Sequence, residues 1–246
     1  MGVSLTVLGT SGGCPGPAAA ACGYLLRTSS TNLWIDAGAG TMANLLQHIG
    51  VSDVDGIILS HEHPDHWTDI QGFWVAAAHF VNPPVENVPV YAPTGLRDHV
   101  YAPNLQSNVF DWHECEPGDK IQVGDISITF ARAQHPVLTL AMKIECEGKV
   151  LAYSADTGPA FSFRELGDHF DFAWTEANDI DEIIKRDAPD SHISGRQSAV
   201  MSKDAGVKRL MLSHIRFIAD REKVLEEAKS EHPDVFLAQE NRIYEI

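Results

Sequence analysis

The densest chemistry in the chain is the run Ile57-Ile58-Leu59-Ser60-His61-Glu62-His63-Pro64-Asp65-His66, where an apolar segment ends in three imidazoles and two carboxylates within six residues. Buried strands avoid such side chains unless they are paired or bound to a metal, because removing each charge from water is costly. In extended chain His61 and His63 point to one side, and a turn at Pro64 can bring Asp65 and His66 around a neighbouring centre. A lone histidine is usually a capped or solvent-facing residue, whereas an H-x-H-x-D-H cluster reads as a set of metal ligands. Imidazole nitrogen with carboxylate oxygen suits Zn²⁺, Mn²⁺ or Fe²⁺, and the lack of cysteine in the cluster argues against a closed structural zinc site.

The ligands of the cluster follow one apolar segment, 56–60, among many in the chain. The elements that would position them alternate along the chain. Strand patterning covers 4–9, 22–28, 32–35, 56–60, 88–91, 120–123, 126–131, 141–145, 150–154, 172–175, 209–213 and 235–238. Helical patterning covers 42–49, 69–80, 95–100, 161–166, 180–186, 194–205 and 219–229. No segment is long or polar enough to be an interdomain linker, so one domain over 1–246 is expected. Strands that dominate each half, followed by helix-strand units, suit two sheets sandwiched between outer helices.

Composition narrows the function. The 34 acidic and 18 basic residues leave a formal charge of −16, which repels polyanions, and no Lys/Arg run offsets it. An extended nucleic-acid surface is disfavoured and a small substrate favoured. The start of the chain reads as a strand without a signal-peptide pattern, and no apolar run approaches membrane-spanning length, so a soluble cytoplasmic protein is expected. Cys14, Cys22, Cys115 and Cys146 show no C-x-x-C spacing and read as reduced thiols.

The H-x-H-x-D-H motif, with the later His135, Asp156 and His214 at strand ends, resembles the metallo-β-lactamase superfamily. The resemblance runs from Leu8 to the C-terminal strand. It implies an α/β fold, the αβ/βα four-layer sandwich, and two divalent metal ions, with zinc favoured and manganese or iron as alternatives. By resemblance His61, His63 and His135 would hold one ion, Asp65, His66 and His214 the second, and Asp156 would bridge them. Asp36, in Ile35-Asp36-Ala37-Gly38, matches the family's I-D-x-G element and would buttress the metal loop.

Two ions that share an activated water are hydrolytic machinery. The opening Leu8-Gly9-Thr10-Ser11-Gly12-Gly13 resembles the L-G-T-x-x-G turn of ribonuclease Z-like phosphodiesterases. Glu176-Ala177 and His192-Ile193-Ser194 resemble the E-A and H-x-[ST] motifs of that branch. The resemblance gives His192 the role of stabilising phosphoryl charge or protonating the leaving oxygen, Glu176 that of orienting it, and Asp65 a further part in orienting the water. Ribonuclease Z usually carries a tRNA-gripping arm between the lone His and the bridging Asp, and residues 136–155 leave room for only one hairpin. The expected activity is therefore hydrolysis of a small phosphodiester such as a cyclic nucleotide. The alternatives are tRNA 3′ processing and attack on a carbonyl ester by a lactonase or thioesterase. A homodimer is expected from the resemblance alone. Substrate contacts are expected in 67–87 and 94–112. His48, His79, His99, His113, His169 and His232 match no motif and read as surface or packing residues.

Overall fold

The computed structural model describes residues 2–100 and 108–246. Its first half contributes β1 (Ser4–Gly9), β2 (Ser11–Gly12), β3 (Gly23–Arg27), β4 (Asn32–Ala37), α1 (Thr41–Leu45), β5 (Gly56–Ile58), α2 (Ile70–His79), β6 (Val88–Pro93), α3 (Leu96–Val100) and β7 (Phe110–Cys115). The second half contributes β8 (Lys120–Val123), β9 (Ile126–Arg132), β10 (Leu140–Cys146), β11 (Lys149–Tyr153), β12 (Phe172–Glu176), α4 (Asp181–Asp187), α5 (Gly195–Asp204), β13 (Arg209–Ser213), β14 (Ile215–Arg216), α6 (Arg221–Lys229), β15 (Val235–Leu237) and β16 (Ile243–Glu245).

Two seven-stranded sheets result, ordered β16-β1-β3-β4-β5-β6-β7 and β15-β13-β12-β11-β10-β9-β8. Each has an antiparallel half and a parallel half. In the first sheet β16, β1, β3 and β4 pair antiparallel and β4 through β7 pair parallel. The second repeats the plan, with β8 to β11 antiparallel and β11, β12, β13 and β15 parallel. Connection length explains the division. The β10–β11 hairpin closes through Glu147 and Gly148, both at positive φ (46° and 76°), as a two-residue turn of matching twist requires. Parallel neighbours need crossovers, supplied by α2 between β5 and β6, α5 between β12 and β13, and α6 between β13 and β15.

Strands buried on both faces read as nearly continuous apolar runs, and alternate residues go to different layers. Leu5, Tyr24, Leu26 and Ile35 meet Ile128, Phe130, Phe172 and Trp174 between the sheets. The intervening Leu25, Trp34 and Ile57 pack with Phe73 of α2. Ala173, Leu210 and Leu212 pack with Ala199 of α5 and Val224 of α6. The order helix, sheet, sheet, helix is the expected four-layer sandwich.

Some local expectations change. The expected helix over 161–166 is a single 3-10 turn, Phe163–Glu165, because Phe161, Phe163 and Leu166 are drawn into the layer beneath α5. The expected helix over 42–49 is regular only over Thr41–Leu45. β7 and β16 went unread; Asp111, His113 and Glu114 interrupt the apolar pattern of β7, which as an edge strand leaves polar side chains in water. Residues 101–107, part of the segment expected to carry substrate contacts, lie outside the described residues. Among the described residues no helix is long and apolar enough to cross a membrane.

Candidate active site

The sandwich brings the C-terminal ends of β4, β5, β11, β12 and β13 to one edge of the core. The two-residue parallel pair of β2 with β14, Ser11 against Ile215, stitches the two halves together there. Asp36 (φ 54°), Ala155 (φ 50°) and His214 (φ 48°) turn through the left-handed region at these strand ends. Each such turn costs a non-glycine residue about 1–3 kcal/mol, and strain of this kind collects at functional sites.

His61, His63 and His135 converge with their ring nitrogens inward. His63 Nδ1 lies 3.2 Å from His61 Nε2 and 3.0 Å from His135 Nε2. Outer partners fix two of the tautomers. His135 Nδ1 is 2.9 Å from the Ser191 carbonyl oxygen, which can only accept, so Nδ1 carries the proton and Nε2 a lone pair. The Ser60 hydroxyl donates to Asp36 Oδ2 at 2.9 Å and accepts from His61 Nδ1 at 3.0 Å, leaving His61 Nε2 as a lone pair. Three neighbouring nitrogens, at least two presenting lone pairs, fit a cation at their centre far better than mutual hydrogen bonding. Asp156 closes this group, its Oδ2 standing 3.8 Å from His61 Nε2.

A second group adjoins the first. His66 Nε2 and His214 Nε2 are 3.3 Å apart. Asp65 Oδ2 lies 3.5 Å from the first and 3.2 Å from the second, and Asp156 Oδ1 lies 3.3 Å from each. Buried Asp156 Oδ1 makes no hydrogen bond, an orphaned acceptor between two inward nitrogens. His66 Nδ1 faces Asp36 Oδ2 at 2.8 Å, and the Gly13 backbone N–H donates to Asp65 Oδ2 at 2.8 Å. The donor set and the orphaned oxygen fit divalent-metal binding, with Asp156 shared between both groups.

Electrostatics follow the same division. Burial, reinforced by His66, pushes His61 well below the usual imidazole range, and burial lowers His135 too. For His66 and His214 burial also opposes the charged form, but Asp156 and the other facing carboxylates outweigh it and raise both. Asp65 and Asp156 are held low against their burial by the neighbouring imidazoles.

His192 stands at the border of this cluster, its Nδ1 2.9 Å from Glu176 Oε2 and 4.0 Å from Asp156 Oδ2. The other Glu176 oxygen accepts from the Thr157 backbone N–H, which fixes the carboxylate. Burial works to lower the His192 imidazole, and Glu176 more than reverses that. His192 does not cap α5: that role belongs to Ser194, whose hydroxyl accepts from the Gln197 N–H at 3.1 Å while Gln197 Oε1 accepts from the Ser194 N–H at 2.9 Å.

The structure thus gathers all seven expected ligand positions, Asp36, and the Glu176–His192 pair at one place. Sequence reasoning singled out the turn ending at Gly13, whose amide donates to Asp65, but passed over Ser60, the Ser191 carbonyl, Asn178 (Nδ2 3.4 Å from His214 Nδ1) and Tyr153. Only Tyr153 left a trace in the sequence, as a polar tip at the end of the apolar run Val150-Leu151-Ala152. Trp74 and His79 pack against each other at 5.6 Å.

The family model described as "Beta-lactamase superfamily domain" matches residues 31–215. An uncharacterized protein of Mycobacterium tuberculosis is 33% identical over 239 residues, covering 93% of this chain and 86% of that protein. "Ribonuclease Z" of Methanopyrus kandleri is 26% identical over 273 residues, covering 97% and 96%. The crystal structure of the metallo-beta-lactamase fold protein YhfI from Bacillus subtilis superposes with a TM-score of 0.89 at 24% identity, covering 99% of both chains. With its two sheets and its converging His/Asp groups, the chain belongs to the beta-lactamase superfamily and is similar over nearly its whole length to a ribonuclease Z.

Proposed function

We propose that the chain is a dinuclear metal-dependent phosphodiesterase acting on a small phosphodiester such as a cyclic nucleotide. The observation that carries this reading is the Glu176–His192 pair at 2.9 Å, set beside Asp156 where a leaving oxygen would need a proton. His61, His63 and His135 would hold one ion, Asp65, His66 and His214 the other, with Asp156 between them. Zinc suits this nitrogen and oxygen set, as do manganese and iron. When bound, such ions supply Lewis-acid stabilisation of phosphoryl charge and a water acidic enough to attack at neutral pH.

The protein's own residues supply the rest. The Gly13 amide fixes Asp65 Oδ2 so that the carboxylate can orient the attacking water. Glu176 keeps the His192 proton on Nδ1 in the neutral ring, so protonation of Nε2 makes that atom the acid for the departing oxygen. A carbonyl hydrolase would have no equal need for this pair.

The formal charge of −16 and the two-residue β10–β11 turn, where a protruding arm would be inserted, support a compact substrate over folded RNA. The similarity to "Ribonuclease Z" keeps tRNA 3′ processing as the second reading. Metal-loaded protein should be assayed on bis-p-nitrophenyl phosphate, 3′,5′-cyclic AMP, a precursor tRNA, a lactone and a thioester. Turnover of the small phosphodiesters is expected. Preference for the tRNA would transfer the chain to the second reading, and turnover of carbonyl substrates alone would overturn both.

A further inference from the structure

Beneath His66, the core between the sheets holds a polar cluster that the proposed reaction does not use. Tyr153, on β11 of the second sheet, crosses the sandwich and donates its hydroxyl to Asp36 Oδ2, at the end of β4 in the first sheet, at 2.6 Å. The same oxygen receives the Ser60 hydroxyl at 2.9 Å and faces His66 Nδ1 at 2.8 Å, while the Ser60 N–H donates to Asp36 Oδ1 at 2.7 Å. The Tyr153 ring is clamped, stacked on Trp174 at 5.0 Å and edge-on to Tyr24 at 5.5 Å. The Cys22 thiol bridges the Tyr24 and Tyr153 hydroxyls at 3.4 Å each.

We infer that Tyr153 is a positioning residue, which fixes His66 from the opposite sheet by locking the Asp36 carboxylate against its Nδ1–H. The inference rests on the reading of His66 as a metal ligand. A phenylalanine would fill the same ring volume, and a buried hydroxyl is costly in an apolar core unless it is bonded. The hydroxyl therefore serves its bond to Asp36. That bond joins the half of the fold carrying Asp36 and the H-x-H-x-D-H loop to the half carrying His135, Asp156 and His214. Outer partners of this type orient ligand imidazoles, and their loss typically costs 10–100-fold in metal affinity.

The test compares wild type with Tyr153→Phe, Tyr24→Phe, Asp36→Asn and His66→Ala. Zinc stoichiometry and affinity are measured against a chromogenic chelator, the visible spectrum is recorded after cobalt(II) loading, and melting temperatures are taken without metal. Tyr153→Phe and Asp36→Asn should weaken one ion of two by about 10–100-fold and shift its cobalt band. The other ion should stay unchanged, and metal-free Tyr153→Phe should melt near wild type. Tyr24→Phe, equally buried but without a bond to Asp36, should keep both affinities. Wild-type binding in Tyr153→Phe while His66→Ala loses an ion overturns the inference alone, as does an equal loss in Tyr24→Phe. Retention of both ions by His66→Ala overturns the ligand reading on which it rests.

Discussion

His192→Gln should slow the enzyme in proportion to how badly the leaving oxygen needs a proton. In the structure the imidazole has one carboxylate partner, Glu176 Oε2 at 2.9 Å, and lies 4.0 Å from Asp156 Oδ2. Glutamine cannot protonate a departing alkoxide. A positioned general acid is worth about 10²–10⁴ in rate, which is about 2.7–5.4 kcal/mol of barrier at 1.36 kcal/mol per decade. That loss is expected in kcat/KM for 3′,5′-cyclic AMP, whose leaving group is a ribose oxygen. On bis-p-nitrophenyl phosphate the stabilised nitrophenolate departs with little help, so the loss should stay within about tenfold. Glu176→Gln should fall between wild type and His192→Gln on the cyclic nucleotide, because an amide can hold the ring without enforcing its tautomer or balancing its charge. Metal content and melting temperature should change little, since glutamine can still donate to Glu176 from this position, where the His192 side chain is 22% exposed. Equal losses on the two substrates would refute the general-acid argument and leave His192 a role in binding or charge stabilisation alone.

Three further outcomes follow from the geometry. Gly38→Ala would place a Cβ 2.0 Å from the Asp65 carbonyl oxygen and 2.7 Å from that of Cys22, so it should destabilise the fold by about 1–3 kcal/mol or more in denaturant titration; Gly72→Ala, on helix α2 and near only the flexible Met42 thioether, should gain up to about 1 kcal/mol. A thiol reagent at pH 8, followed by mass spectrometry, should modify exposed Cys14, while burial, which pushes Cys115 up to about 11 and Cys146 up to about 12, keeps those two as neutral, unreactive thiols. Burial opposes the charged form of Asp181, but the Ser194 hydroxyl and Lys185 outweigh it and hold the carboxyl below its usual range; its stabilisation is therefore present above about pH 4 and lost as pH falls further, so the stability gap between wild type and Asp181→Asn should close in acid unfolding curves.

The sequence alone carried a good deal of this protein. An apolar strand that stops in His61, His63, Asp65 and His66 has few stable uses other than metal binding, and burial on both faces made the parallel strands legible as unbroken apolar runs. His135, Asp156 and His214 were singled out through the family resemblance, as lone polar residues after apolar runs, and the fold brings them to the same edge of the core as the cluster. Edge strands such as β7 lack so apolar a run, since half of their side chains face water. The aromatic run 161–166 misled because period alone does not distinguish a helix from a turn whose side chains are drawn into a neighbouring layer. Which imidazoles come together is decided by packing: His63 meets His135 across 72 residues, and His66 meets His214 across 148. The tautomers of His61, His66 and His135 depend on Ser60, Asp36 and Ser191, partners whose distance and direction no spacing rule encodes. The bond from Tyr153 to Asp36 spans 117 residues and the whole core. Local chemistry and hydrophobic periodicity are written along the chain; the approach of one strand end to another exists only once two sheets have packed face to face.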